Sequence, residues 1–184
     1  MIFDKVEDLD FVGPLEVLGT TSHLKLDSLR PFTVQREGRE VKTVNGLRVI
    51  PDYSFQECPK LDAILIPEGI GTRSEMKNAE TLEFVRRTAS SCELVLSVCT
   101  GALILAAAGL LNGKRATTHW AALDELRAFP QVTVEHLRYV QDGKIVTSAG
   151  VSAGIDMALY VVKELYGSTV CEDVARDMEY PLRE

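Results

Sequence analysis

A chain of 184 residues with 46% hydrophobic and 26% charged residues has the composition of a single globular domain with one sizeable core. Its net charge of -7 and pI near 5.1 argue against a nucleic-acid surface, because phosphate binding needs a basic face. No apolar run reaches the roughly 20 residues of a membrane span, and the first residues show no basic segment followed by an apolar stretch and a cleavage site, so the cytoplasm is the expected location.

Met1-Ile2-Phe3 reads as the tail of a first strand. An acidic loop over 4–10 leads to a helix over 11–18 with Pro14 near its first position. Asp10 is either a helix-start carboxylate or a carboxyl group projecting from the carboxyl edge of the first strand. Extended patterns follow over 32–35, 40–44 and 47–50, the last two joined by Asn45-Gly46, a hairpin signal. Residues 61–67 read as a buried parallel-type strand ending in Glu68-Gly69-Ile70-Gly71. Glycines there either admit close backbone approach to a ligand or simply turn the chain. An amphipathic helix is predicted over 79–90.

The central stretch is 94–111. Leu94-Val95-Leu96-Ser97-Val98 suits a strand buried on both faces, and 101–108 a helix of strong formers with almost no polar face. Only Cys99 and Thr100 lie between them, so the chain must turn sharply, with the small Ser97 and Gly101 giving room, as in a nucleophile elbow. A thiol there feels the positive end of the helix dipole, which favours thiolate, and the Thr100 amide is a candidate oxyanion donor. A buried structural cysteine is the competing reading.

Gly113 suits a helix C-cap, 115–118 a short strand, and 121–128 a helix after His119-Trp120. Further extended segments flank Asp142-Gly143, a second hairpin turn, and 148–154 is a small-residue loop opening a helix over 155–166; a last helix spans about 168–179. Of the four cysteines, Cys58, Cys92 and Cys171 read as passive, with no metal spacing or disulfide framework. Alternating strands and helices define an α/β doubly wound sheet with helices on both faces, in one domain over 1–184. Asp10, Glu68-Gly69, Cys99-Thr100, His119 and Ser148-Ala149-Gly150 all follow predicted strands, so they share the crevice outside the strands' carboxyl ends. His119 reads equally as a packing residue or a proton carrier. Trp120 reads as a pocket wall, a dimer contact or core packing, and Gly150, beside Ser148 and Ser152, as tight packing around the following helix.

Five blocks together resemble the DJ-1/PfpI superfamily: Leu9-Asp10-Phe11-Val12-Gly13-Pro14, Ile66-Pro67-Glu68-Gly69-Ile70-Gly71, Ser97-Val98-Cys99-Thr100-Gly101-Ala102, Ala116-Thr117-Thr118-His119-Trp120, and residues 147–156. An acidic residue in the first block and threonine after the cysteine are similar to isonitrile (isocyanide) hydratases; protease-like relatives carry histidine after the cysteine. The resemblance implies a flavodoxin-like fold, a homodimer, a small-molecule substrate and no cofactor or metal. It implies Cys99 as nucleophile, Asp10 as its carboxyl partner, and the amides of Thr100 and Gly69 as oxyanion donors. His119 and Trp120, with Glu68 and Gly150, are candidate pocket residues. Two departures stand out. Glu68 replaces the first glycine of the family's Pro-Gly-Gly, where a side chain is strained if φ is positive and a carboxylate crowds or recharges the pocket. The first strand is also shorter than the family's, with several apolar residues fewer before Ile2.

The chemistry so implied is addition of Cys99 to an isocyanide carbon, giving a thioimidate, then hydrolysis to an N-substituted formamide. Asp10, its pKa raised by burial and like charge, would serve as acid and then base. The alternatives are glyoxalase- or deglycase-type activity on α-oxoaldehydes through a hemithioacetal, and a non-catalytic ligand- or oxidant-sensing module.

Overall fold

The computed structural model describes residues 1–24 and 29–182. Its frame is a sheet in which β5 (Ala63–Ile66), β6 (Leu94–Val98) and β10 (Ile145–Ser148) run parallel, with β9 (Tyr139–Asp142) antiparallel at one edge, in the order β5-β6-β10-β9. The central strand β6 is the apolar, β-branched run of the sequence, buried from Val95 to Val98 because both faces are covered. Around the frame lie three strand pairs. They are β1 (Val34–Gln35) parallel to β4 (Tyr53–Ser54), β2 (Val41–Lys42) antiparallel to β3 (Arg48–Val49), and β7 (Arg115–Ala116) parallel to β8 (Thr133–Val134). Both expected hairpins form, around Gly46 and Gly143, each at the positive φ (93° and 63°) such turns require.

Helix α1 (Asp8–His23) packs on α6 (Ala153–Tyr166), which packs on α7 (Ser168–Asp177), against one face of the sheet. On the other side are α2 (Thr72–Glu75), α3 (Ala79–Ser91), α4 (Gly101–Ala107) and α5 (Leu123–Arg127), the last preceded by a 3₁₀ turn at Trp120–Ala122. Helix α3 starts where Asn78 accepts the amides of Glu80 and Thr81 with its side chain, a regular N-cap. Among the described residues, no helix is long and apolar enough to cross a membrane.

Two expectations are corrected. The first helix begins at Asp8, so Pro14 lies inside it and not at its first position. Proline there leaves the Asp10 carbonyl without its helical donor, and tight packing offsets the loss. Phe11, Gly13, Pro14 and Val17 are buried, and an ideal Cβ on Gly13 lies 3.0 Å from Ile155. Residues 1–3 lie between β1 and β5 without forming a ladder: Met1 N donates to Leu65 O (2.9 Å) and Ile2 N to Val34 O (2.8 Å). Alongside them a cavity of about 380 Å³ opens between β1 and β5, lined by Met1, Ile2, Phe11, Pro14, Val34 and Ile64 among others.

The start of α1 is tied to the β2–β3 hairpin. The Asp8 carboxylate accepts the Thr43 hydroxyl (2.7 Å) and the Asn45 side-chain amide (2.9 Å).

Candidate active site

The turn after β6 is the expected elbow. Cys99 has φ 54°, a left-handed conformation that costs a non-glycine residue about 1–2 kcal/mol. Both of its peptide groups are held in place. Its N–H is shared by the Ser148 and Ala149 carbonyls (3.1 Å each), and its carbonyl accepts the Thr118 hydroxyl at 2.7 Å. Thr118 thus braces the elbow's backbone, a contact its sequence block did not single out.

Gly101 is required by close approach. An ideal Cβ there would sit 2.1 Å from the Ile66 carbonyl oxygen, so the end of β5 runs against the start of α4. Gly69 is required by a second approach, on the opposite side of the same loop. It bridges to Val6, and a Cβ would meet Lys5 O at 1.9 Å. Between these two contacts the Glu68 backbone is clamped by the start of α1. Its N–H donates to Asp10 Oδ2 (3.1 Å), and its carbonyl accepts Glu7 N–H (2.8 Å). Glu68 is not among the residues with positive φ, so a side chain fits this position of the family's glycine turn without backbone strain.

The Glu68 side chain therefore lies over the elbow. Its Oε2 accepts the Cys99 thiol (2.7 Å) and the Thr100 hydroxyl (2.9 Å), and the Thr100 and Thr72 hydroxyls meet at 3.2 Å. Asp10 is both things the sequence offered, a first-turn helix residue and a carboxyl group at the elbow. It is fully buried, and its Oδ1 has no hydrogen-bond partner among the described residues. Burial pushes its pKa up to about 8; the nearby charges of Glu68 and Glu7 add to this, while the Glu68 amide opposes it.

The expectation of a favoured thiolate is overturned. Cys99 is 1% exposed, and burial drives its pKa strongly upward, followed by the charge of Asp10 and the hydrogen bond and charge of Glu68. The Thr100 amide acts in the opposite direction, as an oxyanion donor would, but it does not prevail. One short helix start is outweighed by a dry environment and two carboxyl groups. The resting sulfur is a neutral thiol that donates.

The remaining candidates follow the segments that hold Cys99 and pack on one another. His119 Nδ1 accepts the Ala121 amide (3.2 Å), and its ring rests on Gly150, where a Cβ would collide with Cδ2 at 2.1 Å. Gly150 is therefore a packing residue. Trp120 is 70% exposed with its ring tilted toward His119, which rules out core packing. The 380 Å³ cavity and a smaller one of about 50 Å³ lie near residues 1–3, and neither is lined by Cys99, Asp10 or Glu68. Cys58, Cys92 and Cys171 are free, Cys92 and Cys171 with thiols on the Leu61 and Leu159 carbonyls. Among the described residues, no group of three or more His, Cys, Asp or Glu side chains is arranged to hold a metal ion.

The model of the DJ-1/PfpI family matches residues 1–164. The isonitrile hydratase of Pseudomonas putida is 40% identical over 180 residues, 98% of this chain and 76% of that protein. The HTH-type transcriptional regulator CdhR of Pseudomonas aeruginosa is 29% identical over 91% of this chain, which spans 50% of the regulator. A ThiJ/PfpI family protein from Pseudomonas syringae superposes with a TM-score of 0.90 at 33% identity, over 100% of this chain and 74% of that one. Drosophila melanogaster DJ-1beta shares the fold, with a TM-score of 0.85 at 21% identity over 97% of this chain and 94% of its own. With a strained cysteine between a buried parallel strand and a helix, and with that match along most of its length, the chain belongs to the DJ-1/PfpI family.

Proposed function

We propose that the protein hydrates an isocyanide to an N-substituted formamide, with Cys99 as nucleophile and Asp10 as the acid and base. The observation that carries this reading is the junction itself. A thiol on a strained elbow adjoins a carboxyl group that burial keeps protonated near neutral pH and that leaves Oδ1 unengaged. The 40% identity to an isonitrile hydratase over nearly the whole chain supports the substrate class.

The thiol gives up its proton to a base beside it as sulfur bonds to the terminal isocyanide carbon, and that carbon takes a proton from Asp10, giving a thioformimidate in which nitrogen is doubly bonded to carbon. Asp10, now a carboxylate, removes a proton from water as its oxygen bonds to the same carbon, and nitrogen takes the proton that had left the thiol. The adduct then breaks its carbon–sulfur bond. Its hydroxyl loses a proton, sulfur regains one, and the formamide leaves. The sum is one isocyanide plus one water. The Thr100 amide faces the sulfur as bond order changes there. On this reading the protein acts in the cytoplasm as a homodimer.

The test is the rate at which purified protein converts cyclohexyl isocyanide to N-cyclohexylformamide, with Cys99→Ala as control. Turnover that depends on Cys99 is expected; a rate equal to the control refutes the proposal. The match to half of a transcriptional regulator favours a second reading, a ligand-binding module without turnover. Isocyanide binding without formamide would select it.

A further inference from the structure

We propose that Glu68 is the catalytic base for Cys99: the thiol proton passes along the 2.7 Å contact from Sγ to Oε2 as sulfur forms its bond to the substrate. This extends the cysteine-nucleophile reading above and assigns a step that Asp10 does not perform.

The first argument is charge. Two anions do not rest 2.7 Å apart when one of them is a fully buried sulfur, so one proton lies between Sγ and Oε2. Moving it from sulfur to oxygen as sulfur bonds to carbon leaves the pair's net charge unchanged and never leaves a bare thiolate on the buried sulfur. Loss of the same proton to water would leave a thiolate on a fully buried sulfur facing a carboxylate. The second argument is placement. Oε2 is held by the Thr100 hydroxyl, which meets Thr72, and the Glu68 backbone is fixed at both its N–H and its carbonyl. The third is a division of roles. Asp10 reaches Glu68 through Oδ2 and leaves Oδ1 available, so one carboxyl group serves the thiol and the other serves substrate and water.

The charged and titratable groups around the sulfur are few. Helix α1 brings Asp10, with Glu7 behind it; the loop after β5 brings Glu68. The loop after β10 presents the uncharged Ser148 and Ala149 carbonyls. The segment after β7 presents the Thr118 hydroxyl, with His119 turned to the Ala121 amide. Proton transfer inside the Cys99–Glu68 pair is therefore independent of pH over the range in which neither member of the pair nor Asp10 exchanges protons with water.

In the step, the S–H bond breaks, its proton bonds to Oε2, and the sulfur electron pair bonds to the isocyanide carbon while Asp10 protonates that carbon. The Glu68 proton is the one delivered to nitrogen when water adds. When the adduct collapses, Glu68 takes the hydroxyl proton and returns it to sulfur, which restores the starting state.

The experiment follows alkylation of Cys99 by iodoacetamide, located by peptide mass spectrometry, between about pH 5 and 6.5, below the titration of Asp10. In the intact protein the rate is expected to stay level. In Glu68→Gln, which keeps the size of the side chain and an acceptor for Thr100, it is expected to rise about tenfold per pH unit, because the proton must then leave to water. A tenfold-per-unit rise in the intact protein, level profiles in both, or no labelling of Cys99 in either would each overturn the assignment. Isocyanide hydration is measured on the same samples. Level alkylation without any formamide removes the substrate class and leaves Glu68 as the base.

Discussion

The Glu68 amide donates to Asp10 Oδ2 at 3.1 Å while the Glu68 side chain accepts the Cys99 thiol, so one residue joins the buried carboxyl group to the elbow thiol. Asn at position 10 can still accept that amide but holds no transferable proton. Asp10→Asn is expected to fold normally by circular dichroism and to lose about 100- to 10,000-fold in isocyanide turnover, the range for loss of a general acid–base group. Near-normal hydration by the variant would remove Asp10 from the mechanism.

Burial of Asp10 also shapes stability against pH. Its folded pKa of about 8 lies above the unfolded value, so the folded state binds the extra proton between roughly pH 4 and 8. The contribution is fully present below the unfolded value and is lost as pH rises through 8. Urea midpoints are expected to fall from pH 5 to pH 8.5 in the intact protein and to fall less in Asp10→Asn. Cys99 has a raised pKa as well, so its own contribution disappears only at alkaline pH.

Thr118→Val removes the hydroxyl that holds the Cys99 carbonyl and leaves a buried acceptor unpaired. A loss of about 1–3 kcal/mol is expected in denaturant unfolding. Alkylation of Cys99 should change as well, since the elbow's left-handed backbone loses one of its restraints.

Gly69→Ala and Gly101→Ala would each drive a Cβ into a backbone oxygen, at 1.9 and 2.1 Å. Backbone cannot rotate away as a side chain can, so each is expected to destabilise by at least about 2 kcal/mol. Both should also displace Glu68, which is read as a changed pH profile of Cys99 alkylation in the folded fraction.

Trp120→Ala is expected to leave the stability of the isolated chain within about 0.5 kcal/mol, because the ring is largely exposed. If the proposed homodimer uses this surface, sedimentation velocity will show weaker self-association in the variant. An unchanged dimer would place the interface elsewhere.

The frame of the fold was legible because its signals are local. The apolar run of β6, the Asn45-Gly46 and Asp142-Gly143 turns and the amphipathic α3 each carry their period or turn residue within a few positions. The extent of α1 was not, because Pro14 reads as a helix start, and only packing against α6 shows that it is tolerated inside. At the site, residue types indicated Cys99 and Asp10, but not the state of the sulfur. The helix dipole is visible in a sequence; the dryness of a junction built from four distant segments is not. Glu68 was visible as a departure from a glycine turn, yet its contact with the thiol depends on Gly69 and Gly101 drawing its loop against two other segments.

Asp8, held by the β2–β3 hairpin through Thr43 and Asn45, lies just over half a helical turn before the buried acid. That rim turn is thus a hinge pin for the corner that holds Asp10, Glu68 and Cys99. Surface turns ordinarily accept extra residues with little harm. Here a single residue inserted between Asn45 and Gly46 would shift the pin, and with it the alignment of Asp10, Glu68 and Cys99.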